Sequence, residues 1–136
     1  MELTGTLEQF MGGPTPTPNT RLGVTLNRNS MFRFNRAAYR AIGKAPLANL
    51  YYSREDSVIA IEPLHSIRPP TAFPILEHSA GWRICASSFC KHYGIRVDGT
   101  RRFLNPELSP DGRRLLLKLT ETEEVFQIRA NTRRRK

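Results

Sequence analysis

A chain of 136 residues, 39% hydrophobic and 24% charged, is long enough for one compact domain with a real core and too short for two ordinary ones. No apolar run approaches the ~20 residues that a membrane-spanning helix needs, and Met1-Glu2-Leu3-Thr4 lacks the basic start and apolar stretch of a secretory signal, so a cytoplasmic protein without membrane contact is expected. The net charge of +9 points to an anionic partner, because a field of one sign attracts polyanions and speeds their capture.

That charge is unevenly spread. Residues 1–20 carry only Glu2 and Glu8, whereas Arg129, Arg133, Arg134, Arg135 and Lys136 crowd the last eight residues, and Arg21 to Arg54 holds seven basic residues and no acid. The run Gly12-Gly13-Pro14-Thr15-Pro16-Thr17-Pro18 suits neither a helix nor a central strand, so residues 1–21 read as a flexible Pro/Thr-rich arm. Residues 129–136, lacking apolar periodicity, read as a basic disordered tail. Between them, 22–128 is expected to form a single compact domain.

Within that domain Val24-Thr25-Leu26 alternates apolar and polar residues with the period of a half-buried strand. After the turn-rich Asn27-Arg28-Asn29-Ser30, the segment Met31-Phe32-Arg33-Phe34 alternates again, and the two strands read as a hairpin. Asn35 is a good N-cap for a short helix over 37–42 that stops at Gly43. Ala38, Ala41 and Ile42 would face inward, and Arg36 and Arg40, four apart, would share the outer face. Leu47 to Tyr52 and Val58 to Ile61 flank the polar turn 53–56 as a second hairpin. Residues 63–74 contain four prolines and read as a linker.

The same order then returns. Phe73-Pro74-Ile75-Leu76 reads as an edge strand, the kind that accepts a proline, and Trp82-Arg83-Ile84 as its partner. A helix over 87–93 stops at Gly94, and 101–104 and 114–119 flank a turn at Asp111-Gly112. Laid over each other at an offset of 50, Phe32-Arg33-Phe34 falls on Trp82-Arg83-Ile84, and Gly43 falls on Gly94 after one insertion. The expectation is therefore a mainly β fold with short helices (α+β), in two similar halves, 22–64 and 72–120, each strand-strand-helix-strand-strand. Four short strands and one helical turn cannot close a core alone, so the halves should share one.

Arg33-Phe34-Asn35-Arg36-Ala37-Ala38-Tyr39-Arg40-Ala41-Ile42-Gly43, followed by a strand, an acidic turn and Val58-Ile59-Ala60-Ile61-Glu62-Pro63, resembles the AbrB-type swapped-hairpin domain, and two copies in one chain are similar to the arrangement in MraZ proteins. The chain departs from that pattern at Phe34-Asn35 and Ile84-Cys85, where the family has Ile-Pro, and at Leu47-Ala48, where it has Gly-Asp. The resemblance implies one swapped-hairpin-like β-barrel and a DNA-binding transcriptional regulator.

The expected nucleic-acid contacts are Arg28, Arg33, Arg36 and Arg40, with Arg83, Lys91, Arg101 and Arg102 as a second patch. Arginine presents a planar fork that matches phosphate oxygens or a guanine edge and keeps its charge at any relevant pH. DNA stands ahead of RNA as the partner. The alternative is a non-enzymatic protein-interaction or assembly subunit, antitoxin-like or a scaffold, with the N-terminal arm as a docking segment that orders on its partner; a protein partner or a homo-oligomer is the further partner expectation.

Other chemistry is poorly supported. Cys85, Cys90 and His92, with His78 nearby, lack the paired spacing of a zinc site, and the two cysteines are expected to be reduced core residues. There is no glycine-rich phosphate loop, Gly-x-Ser-x-Gly turn or His-Glu-x-x-His helix. No metal, no cofactor and no catalytic group is expected. Trp82, Phe32, Tyr51 and Tyr52 are expected to be buried, and the acidic run Glu121-Thr122-Glu123-Glu124 is read as a solvated strand or helix end.

Overall fold

The structure, a computed structural model, describes residues 4–11, 21–66, 69–78 and 81–125. The proline-rich stretch expected at 12–20 and the basic tail expected at 129–136 lie outside the described residues.

Strands β1 (Val24–Asn27) and β2 (Met31–Phe34) form the first hairpin. Its turn is held by the Asn27 side chain, whose Oδ1 accepts from the backbone N–H groups of Asn29 at 2.9 Å and Met31 at 3.1 Å. A short amide side chain is well suited to closing a turn in this way. Helix α1 (Arg36–Ala41) starts at Asn35, whose Oδ1 accepts from Ala38 N–H at 2.9 Å and Gly23 N–H at 3.0 Å. One side chain thus caps the helix and ties it to the entry of β1. The helix ends at Gly43, with φ of 73°, a left-handed conformation that glycine adopts without a Cβ clash. Strands β3 (Leu47–Ser53) and β4 (Val58–Leu64) form the second hairpin.

The second half contains β5 (Phe73–Pro74), β6 (Leu76–His78), β7 (Gly81–Cys85), α2 (Ser87–Tyr93), β8 (Thr100–Phe103), β9 (Glu107–Leu108), β10 (Leu115–Lys118) and β11 (Thr122–Glu124). Helix α2 also stops at a left-handed glycine, Gly94, with φ of 68°. All strand pairings are antiparallel. They make a six-stranded sheet in the order β11-β8-β1-β2-β7-β6 and a five-stranded sheet in the order β5-β3-β4-β10-β9. Neither sheet closes on itself.

Two expectations about strands change. The edge strand read over 73–76 divides between the sheets: Phe73 pairs with Ala48 in the second, and Leu76 pairs with Arg83 in the first. Between them Ile75 is buried, and its N–H donates to the Pro46 carbonyl at 2.8 Å. Pro74 lies at an edge, where the missing N–H leaves no ladder bond unmade. Likewise, the segment 101–104 does not pair with 114–119. It joins β1 and β11 in the first sheet, and β9 pairs with β10 in the second. Asn105-Pro106 separates β8 from β9, because proline cannot donate to a continuing ladder. The chain therefore crosses between sheets at both places.

The alternation read from the sequence sets the core. Val24, Leu26, Phe32, Phe34, Ile84 and Phe103 point inward from the first sheet; Ile59, Ile61, Leu115 and Leu117 do so from the second; Ala38, Ile42, Phe89 and Cys90 enter from the helices and their ends. They form one cluster, and among the described residues no polar or charged one is buried with them. Each large aliphatic or aromatic side chain taken fully out of water contributes roughly 1.5–3 kcal/mol, which holds the two sheets together without a disulfide. Both cysteines are free.

Candidate nucleic-acid interface

On a pleated sheet, residues directly opposite one another in neighbouring strands share a face. The register of the first sheet therefore places Glu123, Arg102, Thr25, Arg33, Arg83 and Leu76 in one row across all six strands. Phe32 and Phe34, to either side of Arg33, are buried, so the row faces outward. At its centre Arg33 stands directly opposite Arg83.

The cations in this row are not equivalent. Arg33 is exposed and makes no side-chain hydrogen bond or ion pair with a described residue. Arg83 is half-buried, its Nη1 lies 3.4 Å from His78 Nδ1, and its buried Nε has no hydrogen-bond partner. Arg102 meets Glu123 at 3.5 Å with both side chains 49% exposed, a solvated pair that contributes about 0–1 kcal/mol. Arg101, expected as a free contact, is instead held by Thr122: its Nε donates to Oγ1 and its Nη2 to the carbonyl oxygen, both at 3.0 Å. The cause is β11. The acidic run read as a solvated end adds a strand beside β8 and brings Thr122 and Glu123 to the two arginines.

Two further cations gather at the β1–β2 turn. Arg28, in that turn, and Lys91, on α2, line a cleft of about 480 Å³ together with Arg96 and Asp98. Arg96 was not singled out in the sequence, although it follows the helix-stopping Gly94 by two residues, where a chain leaving a helix end returns to the surface. Arg36 and Arg40 are exposed on α1 and, like Arg28 and Lys91, make no side-chain hydrogen bond or ion pair with a described residue. The expected sets, one per half, are thus regrouped. Arg33 lies with Arg102 along one groove, and Arg28 lies with Lys91 along the cleft.

The aromatic residues are largely committed to packing. Trp82 stacks on Tyr39 with centroids 4.2 Å apart and planes 11° apart, and Tyr52 packs on Tyr93 at 5.1 Å. Tyr51, expected to be buried, is 40% exposed, because it lies on the outward side of the second sheet. Its hydroxyl donates to Glu62 Oε1 at 2.6 Å, and the Arg114 guanidinium sits 4.7 Å from its ring centroid. Cys85, also expected in the core, is exposed at the end of β7, on the same side of the strand as Arg83. Cys90 is buried. Burial pushes its thiol pKa up, and a hydrogen bond with Ser30 offsets part of that shift.

Among the described residues no three His, Cys, Asp or Glu side chains gather as a metal site, and no helix is long and apolar enough to cross a membrane. Comparison of the chain with protein-family models, with curated proteins and with solved structures returns no match.

Proposed function

We propose that this chain is a nucleic-acid-binding protein, a DNA-binding transcriptional regulator of the cytoplasm, contacting phosphates and bases through Arg28, Arg33, Arg36 and Arg40. The observation that carries this reading is Arg33 directly opposite Arg83 on an outward face, with no carboxylate of a described residue joined to either. Like charges directly opposite in neighbouring strands are destabilising, and an anion that bridges them removes the repulsion. Phosphate groups suit arginine forks in geometry as well as charge.

The finer architecture belongs to the same proposal: two tandem copies of a swapped-hairpin unit, joined as one barrel. The pairing of β2 with β7 supports it. Phe32 meets Ile84 and Phe34 meets Trp82 on either side of the Arg33–Arg83 pair, so an offset of 50 residues maps this strand pair onto itself. The crossings of 73–78 and 100–108 from one sheet to the other support the barrel.

The test is binding to random-sequence duplex DNA across a salt series, for the parent chain and for Arg33→Glu/Arg36→Glu. The parent should bind steeply less as salt rises, because each phosphate contact releases condensed counterions. The variant, folded by circular dichroism, should lose that binding. Absence of binding at low salt, or equal binding by both proteins, overturns the reading.

One observation favours a second reading, an assembly subunit with a docking arm. Leu7, Phe10 and Met11 are each 81% exposed, well beyond any apolar side chain of the folded part.

A further inference from the structure

Within a single chain, two surfaces of complementary character stay open. The first is the groove on the outward side of the first sheet, about 1020 Å³ in volume, with Arg21, Leu22, Arg33, Leu104, Pro106 and Val125 in its walls. It is as large as the biggest of the roughly 300–1,000 Å³ clefts that hold small ligands, and it is open, with residues of β1, β2 and β8 in its lining. Leu104 presents 49% of its surface there. Arg21 and Arg33 form no side-chain ion pair or hydrogen bond with a described residue. An occupant is therefore expected to be apolar along one side and to carry at least one carboxylate.

The second is the N-terminal arm. Leu7, Phe10 and Met11 are each 81% exposed, in a described stretch, 4–11, that forms neither helix nor strand, and the only charges before Arg21 are Glu2 and Glu8. Such a segment, apolar with a carboxylate and no base, offers partners to the apolar wall and to Arg21 and Arg33; Glu107 and Glu123 also line the groove, Glu123 in its ion pair with Arg102. The path between them is short. Residues 12–20 are nine residues, at most roughly 30 Å when extended, and the next residue, Arg21, is itself part of the groove wall.

We infer that the arm of one copy, residues 3–11, docks in this groove of a second copy and receives that copy's arm in return, giving an arm-exchanged dimer. This rests on the reading of the arm as a docking segment and names what it docks on. Exchange is favoured over folding back because the groove lies at the arm's own root, and a return to it needs a tight reversal. The intervening sequence carries Pro14, Pro16 and Pro18, and proline-rich segments as a class favour extension over tight reversal. A reciprocal contact also closes on itself, as two-fold interfaces do. Two chains of net charge +9 repel one another, and seating Glu8 beside Arg21 and Arg33 lowers the repulsion where the copies meet.

The test is sedimentation of the full chain over a concentration series, beside an arm variant, Leu7→Ser/Phe10→Ser, and a groove variant, Leu104→Ser. All three positions are exposed, so the fold should persist. The parent should dimerise, and each variant should dimerise at least tenfold more weakly. An equimolar mixture of the two variants should regain a heterodimer, because one intact arm and one intact groove remain. Backbone hydrogen exchange at Leu22 and Asn105 is read in the same samples. A monomeric parent whose groove amides exchange as fast as those of the arm variant overturns both the exchange and the docking arm. A monomeric parent with groove amides slowed by the arm overturns the exchange and keeps the docking. A dimer indifferent to the arm variant overturns the proposal.

Discussion

The outward faces of the two sheets use charge in opposite ways. On the second sheet Arg114 is taken up internally: it meets Glu62 at 3.6 Å and covers the Tyr51 ring, while the Tyr51 hydroxyl donates to Glu62. On the first sheet Arg33 and Arg83 face each other with no acid of a described residue joined to them, and Glu123, on β11, engages the neighbouring Arg102. Both faces derive from strands of similar pattern, so alternation alone does not distinguish them. The residue directly opposite in the next strand does, and that residue decides which arginines remain available to an external anion.

The largest expected effect tests whether the two faces cover one core. Phe32→Ala, under the first face, should cost about 3–5 kcal/mol, and Leu117→Ala, under the second, about 2–5 kcal/mol. Each should leave a single unfolding transition in denaturant, because both residues are fully buried in one cluster. Two separated transitions would divide the sheets into independent units.

Next comes the charge contrast itself. Arg114→Glu should leave the salt dependence of duplex binding close to that of the parent, whereas removing a phosphate contact at Arg33 lowers the slope by about one. Equal losses from both positions would erase the distinction between the faces.

A smaller effect is expected at the root of the arginine-bearing hairpin. Asn35→Ala removes the helix cap and the tie to Gly23 and should cost about 1 kcal/mol, seen as a lower denaturation midpoint. The smallest concerns Asp111, in the β9–β10 turn, on the same sheet as Arg114. Hydrogen bonds from the Ser109 hydroxyl and the Arg113 N–H lower its pKa. A carboxyl depressed on folding stabilises the fold above its unfolded pKa, about 3.9, and that contribution fades as pH falls through the folded value. Asp111→Asn should therefore flatten the loss of stability below about pH 4 relative to the parent.

Much of the fold was legible from local signals. Alternation at 24–26 and 31–34 marked the first hairpin, Asn35 and Gly43 bounded α1, and Gly94 stopped α2, because caps and left-handed turns depend on a few neighbouring atoms. The partners of strands were less legible. The partner read for 73–76 holds for Leu76, opposite Arg83, but not for Phe73, which joins β3, and 101–104 pairs with β1 and β11 rather than with 114–119, since Pro74 and Pro106 mark where a ladder stops without saying which sheet receives the chain. Cys85 and Tyr51 were expected inside and lie outside, because each sits at a strand position whose face is fixed by register rather than by hydrophobicity.

For the candidate site the division is similar. By itself the sequence determined the supply of cations: an acid-free run from Arg21 to Arg54, with Arg33 forced outward by Phe32 and Phe34. Only the tertiary structure decided which of them stay unpaired. Thr122 and Glu123 reach Arg101 and Arg102 through a strand added some 20 residues later in the chain, and Arg83 comes to face Arg33 across 50 residues. Charge is a property of single residues, whereas neutralisation depends on distances between residues remote in sequence, which no local pattern encodes.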